Sequence, residues 1–263
     1  MMQRDSDEES LTGGNSSANV VRVGDTVRRS AMPWSSSVDA LLLHLKKVGF
    51  DCAPIPLGYD KQGRQVLSFA KGYIHDDPSD LDDTRIAEVG RVIRRLHDAS
   101  ATFVPSPDAT WNVLITPDHE DLICHHDLAP WNLVRSSNQL TFIDFDGAGP
   151  GSRLWDLAYA AHGFVPFSPE ASISDEVASQ RLSALVDGYG LDKRDRSELV
   201  DMLGPRVRSV YENLRMCHET GVEPWSSLWS EGHGATWLAH AIYVEERRSV
   251  WAEALSVRNE VVD

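Results

Sequence analysis

The 263-residue sequence predicts an α+β protein of two unequal lobes, a small β-rich N-terminal lobe and a larger, mainly helical C-terminal lobe. Three observations predict it. Short apolar runs separated by turn residues fill positions 19–72. The polar, acidic run HDDPSDLDDT follows at 75–84. Beyond it, apolar residues recur at steps of three and four over most of the chain.

Residues 1–18 are acidic and polar and lack the apolar stretch of a secretory signal, so they are expected to form a disordered tail. The lobe at 19–72 begins with a hairpin, Val20 to Val23 and Thr26 to Arg29, around a turn at Gly24-Asp25. The serines of PWSSSVDALLLHLKKVGF start a helix, and Val38, Leu41, Leu42, Leu45 and Val48 share its apolar face. Two further strands, Ile55 to Tyr59 and Gln65 to Ala70, flank the turn Asp60-Lys61-Gln62-Gly63.

The lobe at 73–263 opens on the acidic connector and a long helix with Ile86, Val89, Ile93 and Leu96 inward. From Leu122 to Asp144 the pattern is strand, loop, strand, turn (Ser136-Ser137-Asn138), strand. Beyond Trp155 the chain is helical almost throughout, and Ala241, Val244, Trp251 and Leu255 form the apolar stripe of one last helix.

Charge narrows the partners. Lys plus Arg number 25 against 40 Asp plus Glu, a net charge of −15. Such a surface repels nucleic acid and anionic membranes and attracts cationic small molecules. No run approaches the roughly 20 apolar residues of a membrane span. Cys52, Cys124 and Cys217 are far apart and form no CxxC pair, which argues for a reducing compartment. A soluble, cytoplasmic protein is expected.

Chemistry concentrates in ICHHDLAPWNLV at 123–134 and LTFIDFDGAG at 140–149. Two bland readings of the first stretch stand beside a functional one. His125 and His126 can be taken as zinc ligands with Asp127 or Cys124, although no HExxH or CxxC accompanies them. Asp127 and Asn132 can equally hydrogen-bond a loop. The second stretch adds Asp144 after an apolar strand, so that Asp127, Asn132 and Asp144 end neighbouring strands of one hairpin and converge. Three oxygen-bearing side chains together call for a cation, and magnesium, a hard ion that links carboxylates to nucleotide phosphates, suits them.

His125-x-Asp127-x4-Asn132 followed by Ile143-Asp144-Phe145-Asp146 resembles the catalytic and metal-binding loops of protein-kinase-like phosphotransferases. HHDLAPWNLV, IDFDGAGPG and LWDLAYA together resemble the aminoglycoside phosphotransferase and choline kinase-like branch, and the likeness extends from about Asn19 through GRVIRRLHDAS. The resemblance implies a bilobal protein-kinase-like fold that uses Mg2+ and ATP or GTP. It implies a catalytic pair in which Asp127 orients the acceptor hydroxyl and takes its proton while His125 braces the loop. Asn132 and Asp144 would hold the metal. His126 takes the variable position, solvated or near the phosphate. Asp146 is either a second acid at the site or a turn cap, and Asp156 is structural. Ser152 stands where the family often has Asp.

The small lobe departs from the pattern. A strand lysine paired with a helix glutamate is replaced by Arg28 and Arg29, with His44 near the glutamate's expected place. Alternation lets only one arginine enter the cleft, and Arg29 is the choice. No glycine-rich loop is present, so Ser35, Ser36 and Ser37 are candidates to cover phosphate. Ser68, Phe69 and Ala70 match the hinge that meets the nucleotide base. On the acceptor side, Glu212, Glu219, Glu223, Glu231, Glu245 and Glu246 are available to an amine-rich substrate, while Trp225, Trp229 and Trp237 are assigned to the core. The function expected is a small-molecule kinase, foremost one inactivating an aminoglycoside-type antibiotic. Kinases of choline, a sugar, homoserine or a macrolide are alternatives. A nucleotide-binding pseudokinase is a third, favoured by the absent Lys/Glu pair and disfavoured by Asp127.

Overall fold

The computed structural model describes residues 8–11, 20–171 and 173–256. Its N-terminal part is a five-stranded antiparallel sheet in the order β1-β2-β3-β5-β4. The strands are β1 (Glu9–Ser10), β2 (Val21–Val23), β3 (Thr26–Arg29), β4 (Pro56–Tyr59) and β5 (Gln65–Ser68), with helix α1 (Ser35–Lys47) inserted after β3. Glu9 pairs with Arg22 and Ser10 with Val21. Part of the expected tail is therefore an edge strand, a pairing two polar residues announce too weakly to read; the rest of that tail lies outside the described residues.

Helix α1 buries Val38, Leu41, Leu42 and Leu45, as its periodicity predicts, whereas Val48 falls past the last turn and is 47% exposed. The β4–β5 turn is locked by Asp60, whose carboxylate accepts the amides of Gln62 and Arg64. The acidic connector is more than a solvated link. Asp77 caps a short 3-10 turn at Pro78–Asp80, and Asp82 accepts the Arg85 amide at 2.8 Å to start α2 (Asp83–Ser100).

Helix α2 turns Ile86, Val89, Ile93 and Leu96 into the core. Two small two-stranded sheets follow: β6 (Leu122–Cys124) with β9 (Gly149–Gly151), and β7 (Leu133–Arg135) with β8 (Leu140–Phe142). The rest is helical: α3 (Arg153–Phe164), α4 (Asp175–Tyr189), α5 (Lys193–Thr220), α6 (Trp225–Ser230), α7 (His233–Glu246) and α8 (Arg248–Ser256). The expected single last helix is two, broken at Arg247. Ala241 and Val244 sit on α7 and Trp251 and Leu255 on α8, all buried, and the Trp251 indole N–H donates across the break to the Val244 carbonyl.

Helices α2 and α4 meet backbone to backbone. A Cβ on Gly90 would stand 2.1 Å from the Leu185 carbonyl oxygen, and one on Gly188 would stand 2.0 Å from that of Ala87. Neither contact can relax without separating the helices. We expect Gly188→Ala to cost about 3 kcal/mol, measured as a lowered urea midpoint; an unchanged midpoint would show that the two helices have room between them.

Candidate active site

The site is built where β6, β7 and β8 end. Beyond Cys124 the chain turns through His126 (φ 67) to Asp127, and a 3-10 turn at Pro130–Asn132 leads into β7. The Ile143 amide donates to the Asn132 carbonyl at 2.9 Å, so the residues leaving β8 run beside Asn132. Asn132 Nδ2 donates to Asp127 Oδ2 at 2.7 Å and to the Asp127 carbonyl at 3.0 Å. Asp144 adopts the left-handed conformation (φ 59, ψ 66), which aspartate tolerates better than most residues, and keeps a partly exposed carboxylate. Asp127, Asn132 and Asp144 are thus brought into one neighbourhood by strand register.

The histidines are fasteners. His125 is buried, donates from Nε2 to the Ile143 carbonyl at 3.0 Å and accepts the Asp127 amide on Nδ1 at 3.2 Å. It ties the 125–127 turn to the strand carrying Asp144. His126 is neither solvated nor turned toward a phosphate position, against expectation. Its Nε2 lies 2.9 Å from the Pro150 carbonyl and 3.2 Å from that of Gly149, and burial pushes its pKa down. The two rings address different carbonyls rather than a common point.

Both histidine amides end on one carboxylate. Asp156 is fully buried in the first turn of α3 and accepts His125 N–H at 3.0 Å, His126 N–H at 2.9 Å and His97 Nε2–H at 3.1 Å. Burial alone would raise its pKa, but the His97 hydrogen bond and charge, with the other histidines, hold it well below the usual carboxylate range. Ser152 serves where the family has Asp: its Oγ accepts the Trp155 amide and caps α3.

Arg29 enters from the small lobe. Its Nη1 lies 3.2 Å from Asp144 Oδ1 and its Nη2 2.7 Å from Asp146 Oδ1. Asp146 is therefore a second acid at the site; burial pushes its pKa up, opposed by the Arg29 charge. Arg29 Nε donates to Gln65 Oε1 at 2.7 Å, directly across the β3–β5 register, and Gln65 Nε2 donates to Asp39 Oδ1 at 2.6 Å. The acid on α1 that supports the arginine is Asp39, reached through a glutamine. His44 instead bonds Ala99 and Thr102 at the end of α2. Arg28 points to the opposite face, 3.7 Å from Asp60. The signal for Gln65 was its place opposite Arg29, which only the register reveals.

Other expectations need correction. Ser35 and Ser37 are buried and accept the Met32 and Thr110 amides, so they are consumed in building α1; Ser36 alone is exposed. At the hinge, the Ser68 amide donates to Ile55 and the Phe69 amide to Asp25, and Ala70 follows them out of the sheet. Glu212 and Glu219 share Arg215, and Glu245 pairs with Arg208, so three of the six acids are engaged by two arginines on the helix surface. Trp225, Trp229 and Trp237 are half-buried; Trp237 packs against the core, whereas Trp225 and Trp229 do not belong to it. Trp237 stacks on His162 at 4.6 Å, close to Tyr159, and Trp229 stacks on His218 at 5.6 Å. Tyr159 and Arg206, unremarked in the sequence, are buried beside the loop: the Arg206 guanidinium lies over the Tyr159 ring at 4.4 Å and reaches the His126 carbonyl at 3.4 Å, and burial, then the Asp127 charge, push the Tyr159 phenol well up.

A β-sheet lobe and a helical lobe around such a loop define a kinase-like phosphotransferase. Comparison with known proteins agrees. Residues 108–197 match the phosphotransferase enzyme family. Over 261 residues the chain is 32% identical to a trifolitoxin immunity protein of Rhizobium leguminosarum bv. trifolii, covering 89% of this chain and 95% of that protein. Among solved structures, an amicoumacin kinase bound to AMP-PNP and Ca2+ superposes with TM-score 0.64 at 13% identity, covering 93% of this chain and 89% of that one. A choline/ethanolamine kinase family protein of Mesorhizobium loti does so with TM-score 0.61 at 16% identity, covering 97% and 94%. The chain belongs to the phosphotransferase enzyme family, and its fold is that of small-molecule kinases.

One buried group makes stability depend on pH. His162 is enclosed beside His240, with 3.0 Å between Nε2 and Nδ1, and burial, then the His240 and Arg206 charges, push its pKa from 6.5 down to about 3. The folded state excludes the proton that the unfolded chain accepts. This contribution is fully present above the unfolded pKa of 6.5 and declines as pH falls toward 3. Acidification from about pH 7.5 to about pH 5 is expected to cost about 2 kcal/mol through His162, read from urea unfolding at each pH. His162→Phe should flatten that slope; an unaltered slope would assign the pH dependence elsewhere.

Proposed function

We propose that this protein transfers the γ-phosphoryl group of ATP or GTP to a hydroxyl of an antibiotic- or toxin-type small molecule. The observation that carries the proposal is the Asp127–Asn132 hydrogen bond, in a loop whose Asn132 backbone also receives the Ile143 amide beside Asp144. Kinase chemistry requires a proton acceptor adjacent to a metal-holding pair, and the geometry supports that division of labour. The nucleotide-binding lobe would span 19–72 and the catalytic and acceptor-binding lobe 73–263.

Each residue has a definable task. Asp127 accepts a hydrogen bond from the acceptor hydroxyl and takes its proton as that oxygen bonds to the γ-phosphorus and the bond to the β-phosphate oxygen breaks. In-line positioning, rather than a strong base, is what phosphoryl transfer through a loose transition state asks of the protein. His125 holds the loop and does not touch the reacting atoms. Arg29, braced by Gln65 and Asp39, presents its guanidinium to the nucleotide phosphates in place of lysine. Ser68, Phe69 and Ala70 border the base. Because the Ser68 and Phe69 amides are already engaged, Ala70 and the segment's carbonyls carry that contact.

The residues present fit magnesium. Asn132 commits its amide nitrogen to Asp127, which leaves its oxygen as the remaining acceptor, and Asp144 offers a partly exposed carboxylate. Oxygen-only donors suit a hard cation. When bound, the ion neutralises charge on the nucleotide phosphates.

The acceptor class draws on the immunity protein and on the amicoumacin and spectinomycin kinases that share the fold. Engagement of Glu212, Glu219 and Glu245 by Arg208 and Arg215 weakens the case for a polycationic aminoglycoside within that class. A kinase that draws on the nucleoside triphosphate pool would act in the cytoplasm, where that pool lies.

The test is a phosphorylation screen with ATP and GTP over antibiotics, choline, sugars and homoserine, read by product mass. Asp127→Ala should lose at least about a thousandfold in turnover, some 4 kcal/mol of barrier, while still binding magnesium–nucleotide. Equal turnover by the two proteins would refute the assignment. Asp144→Ala should weaken nucleotide binding in the presence of magnesium, and calorimetry with and without the ion distinguishes this from a general loss of fold. Arg29→Met should raise the KM for nucleotide about tenfold (about 1.4 kcal/mol) with a smaller change in kcat.

A further inference from the structure

Helix α5 carries Gly204-Pro205-Arg206 in its middle, an unusual sequence for the interior of a 28-residue helix. Proline removes a helical amide. Gly204 leaves space that α7 occupies: a Cβ there would lie 2.9 Å from Glu245 Cγ. Two positions on, Arg206 is only 2% exposed. Its guanidinium lies over the rings of Tyr159 at 4.4 Å and Trp155 at 4.9 Å. Nη2 reaches the His126 carbonyl at 3.4 Å, Nη1 reaches Ser209 Oγ at 3.3 Å, and Nε has no hydrogen-bond partner.

A buried arginine placed for stability is normally seated on a carboxylate, because an ion taken out of water without one is costly. Among the described residues Arg206 makes no ion pair. The acids that feel its charge through space are Asp127 and Asp156. Tyr159, on whose ring it lies, is the residue whose phenol feels the Asp127 charge. His126, whose carbonyl it touches, immediately precedes Asp127 and holds a left-handed backbone.

We propose that Arg206 is a positioning residue for Asp127, clamping the 126–127 peptide and the Tyr159 ring from α5 and balancing the negative charge gathered in the loop. The proposal rests on the kinase reading above. It gives the Gly-Pro-Arg sequence a purpose, to carry one cation from the acceptor-side helix to the underside of the catalytic loop. Arg206 touches neither substrate nor the reacting atoms.

The test uses the full-length protein and magnesium–ATP with water as acceptor, so that no antibiotic need be known. Arg206→Met should lower kcat for hydrolysis by about thirtyfold or more, leave the KM for ATP within about twofold, and leave the thermal midpoint unchanged or higher, since a desolvated charge has been removed. Arg206→Lys, which restores the charge without the planar stack, should recover only part of kcat. A merely structural arginine would give a different pattern, with midpoint, nucleotide affinity and kcat falling together. That pattern overturns the inference, as does an Arg206→Met enzyme within threefold of wild type whose crystal structure retains the Asp127–Asn132 bond. Failure of the kinase reading is distinguishable, because the unaltered protein would then neither bind nor hydrolyse magnesium–ATP, and both proposals would fall.

Discussion

The carboxylate of Asp156 is the point from which the rest of the site is hung. It lies in the first turn of α3 without access to water and receives three N–H groups, two from the backbone at 125 and 126 and one from His97 on α2. A buried carboxylate left unsatisfied costs several kcal/mol, so the turn at 125–126 has little freedom to move while α2 and α3 stay in place. His125 then relays that order outward to Asp127 and to the strand that leads into Asp144. Rigidity at Asp127 is borrowed from helices far larger than the loop itself.

From the small lobe, one arginine reaches the acids of this framework. Arg29 crosses from β3 to Asp144 and Asp146, and the Gln65–Asp39 chain behind it sets the guanidinium's direction. A Lys–Glu pair would be a direct contact of two charges. Here a neutral amide is interposed, donating to Asp39 with one end and accepting from Arg29 with the other. The arrangement satisfies the buried amide of Gln65 completely in these two directions and keeps a planar donor aimed at the cleft.

Legibility in the sequence followed the range of the interaction. Helices α1 and α2 were readable because burial of one face imposes a 3.6-residue period on nearby residues. The grouping of Asn132 and Asp144 was readable because they flank the β7–β8 hairpin, where register follows from a short turn. Asp127, expected on that hairpin, instead follows β6, which pairs with β9, and reaches Asn132 through the loop. Capping by Ser152, with its bond to the Trp155 amide, is equally local. By contrast, Ser35 and Ser37 looked available for ligand and are not, since what consumes them is the backbone at Met32 and, far along the chain, at Thr110. His126 misled for the same reason, its partners lying on β9.

The sequence by itself determined the two-lobed α+β architecture, the loop carrying Asp127 and Asn132, the neighbouring Asp144 and the rule that only one of Arg28 and Arg29 enters the cleft, which the structure shows to be Arg29. Periodicity, strand alternation and short-range spacing suffice for these, because each depends on residues within one element or one hairpin. Tertiary structure alone decided that Asp39 supports Arg29 through Gln65, that Glu245 of α7 pairs with Arg208 of α5, and that Arg206 of α5 lies beneath the catalytic loop. These pairings join positions 26 to 80 residues apart, and burial and charge acting through space leave no periodic trace in the order of amino acids.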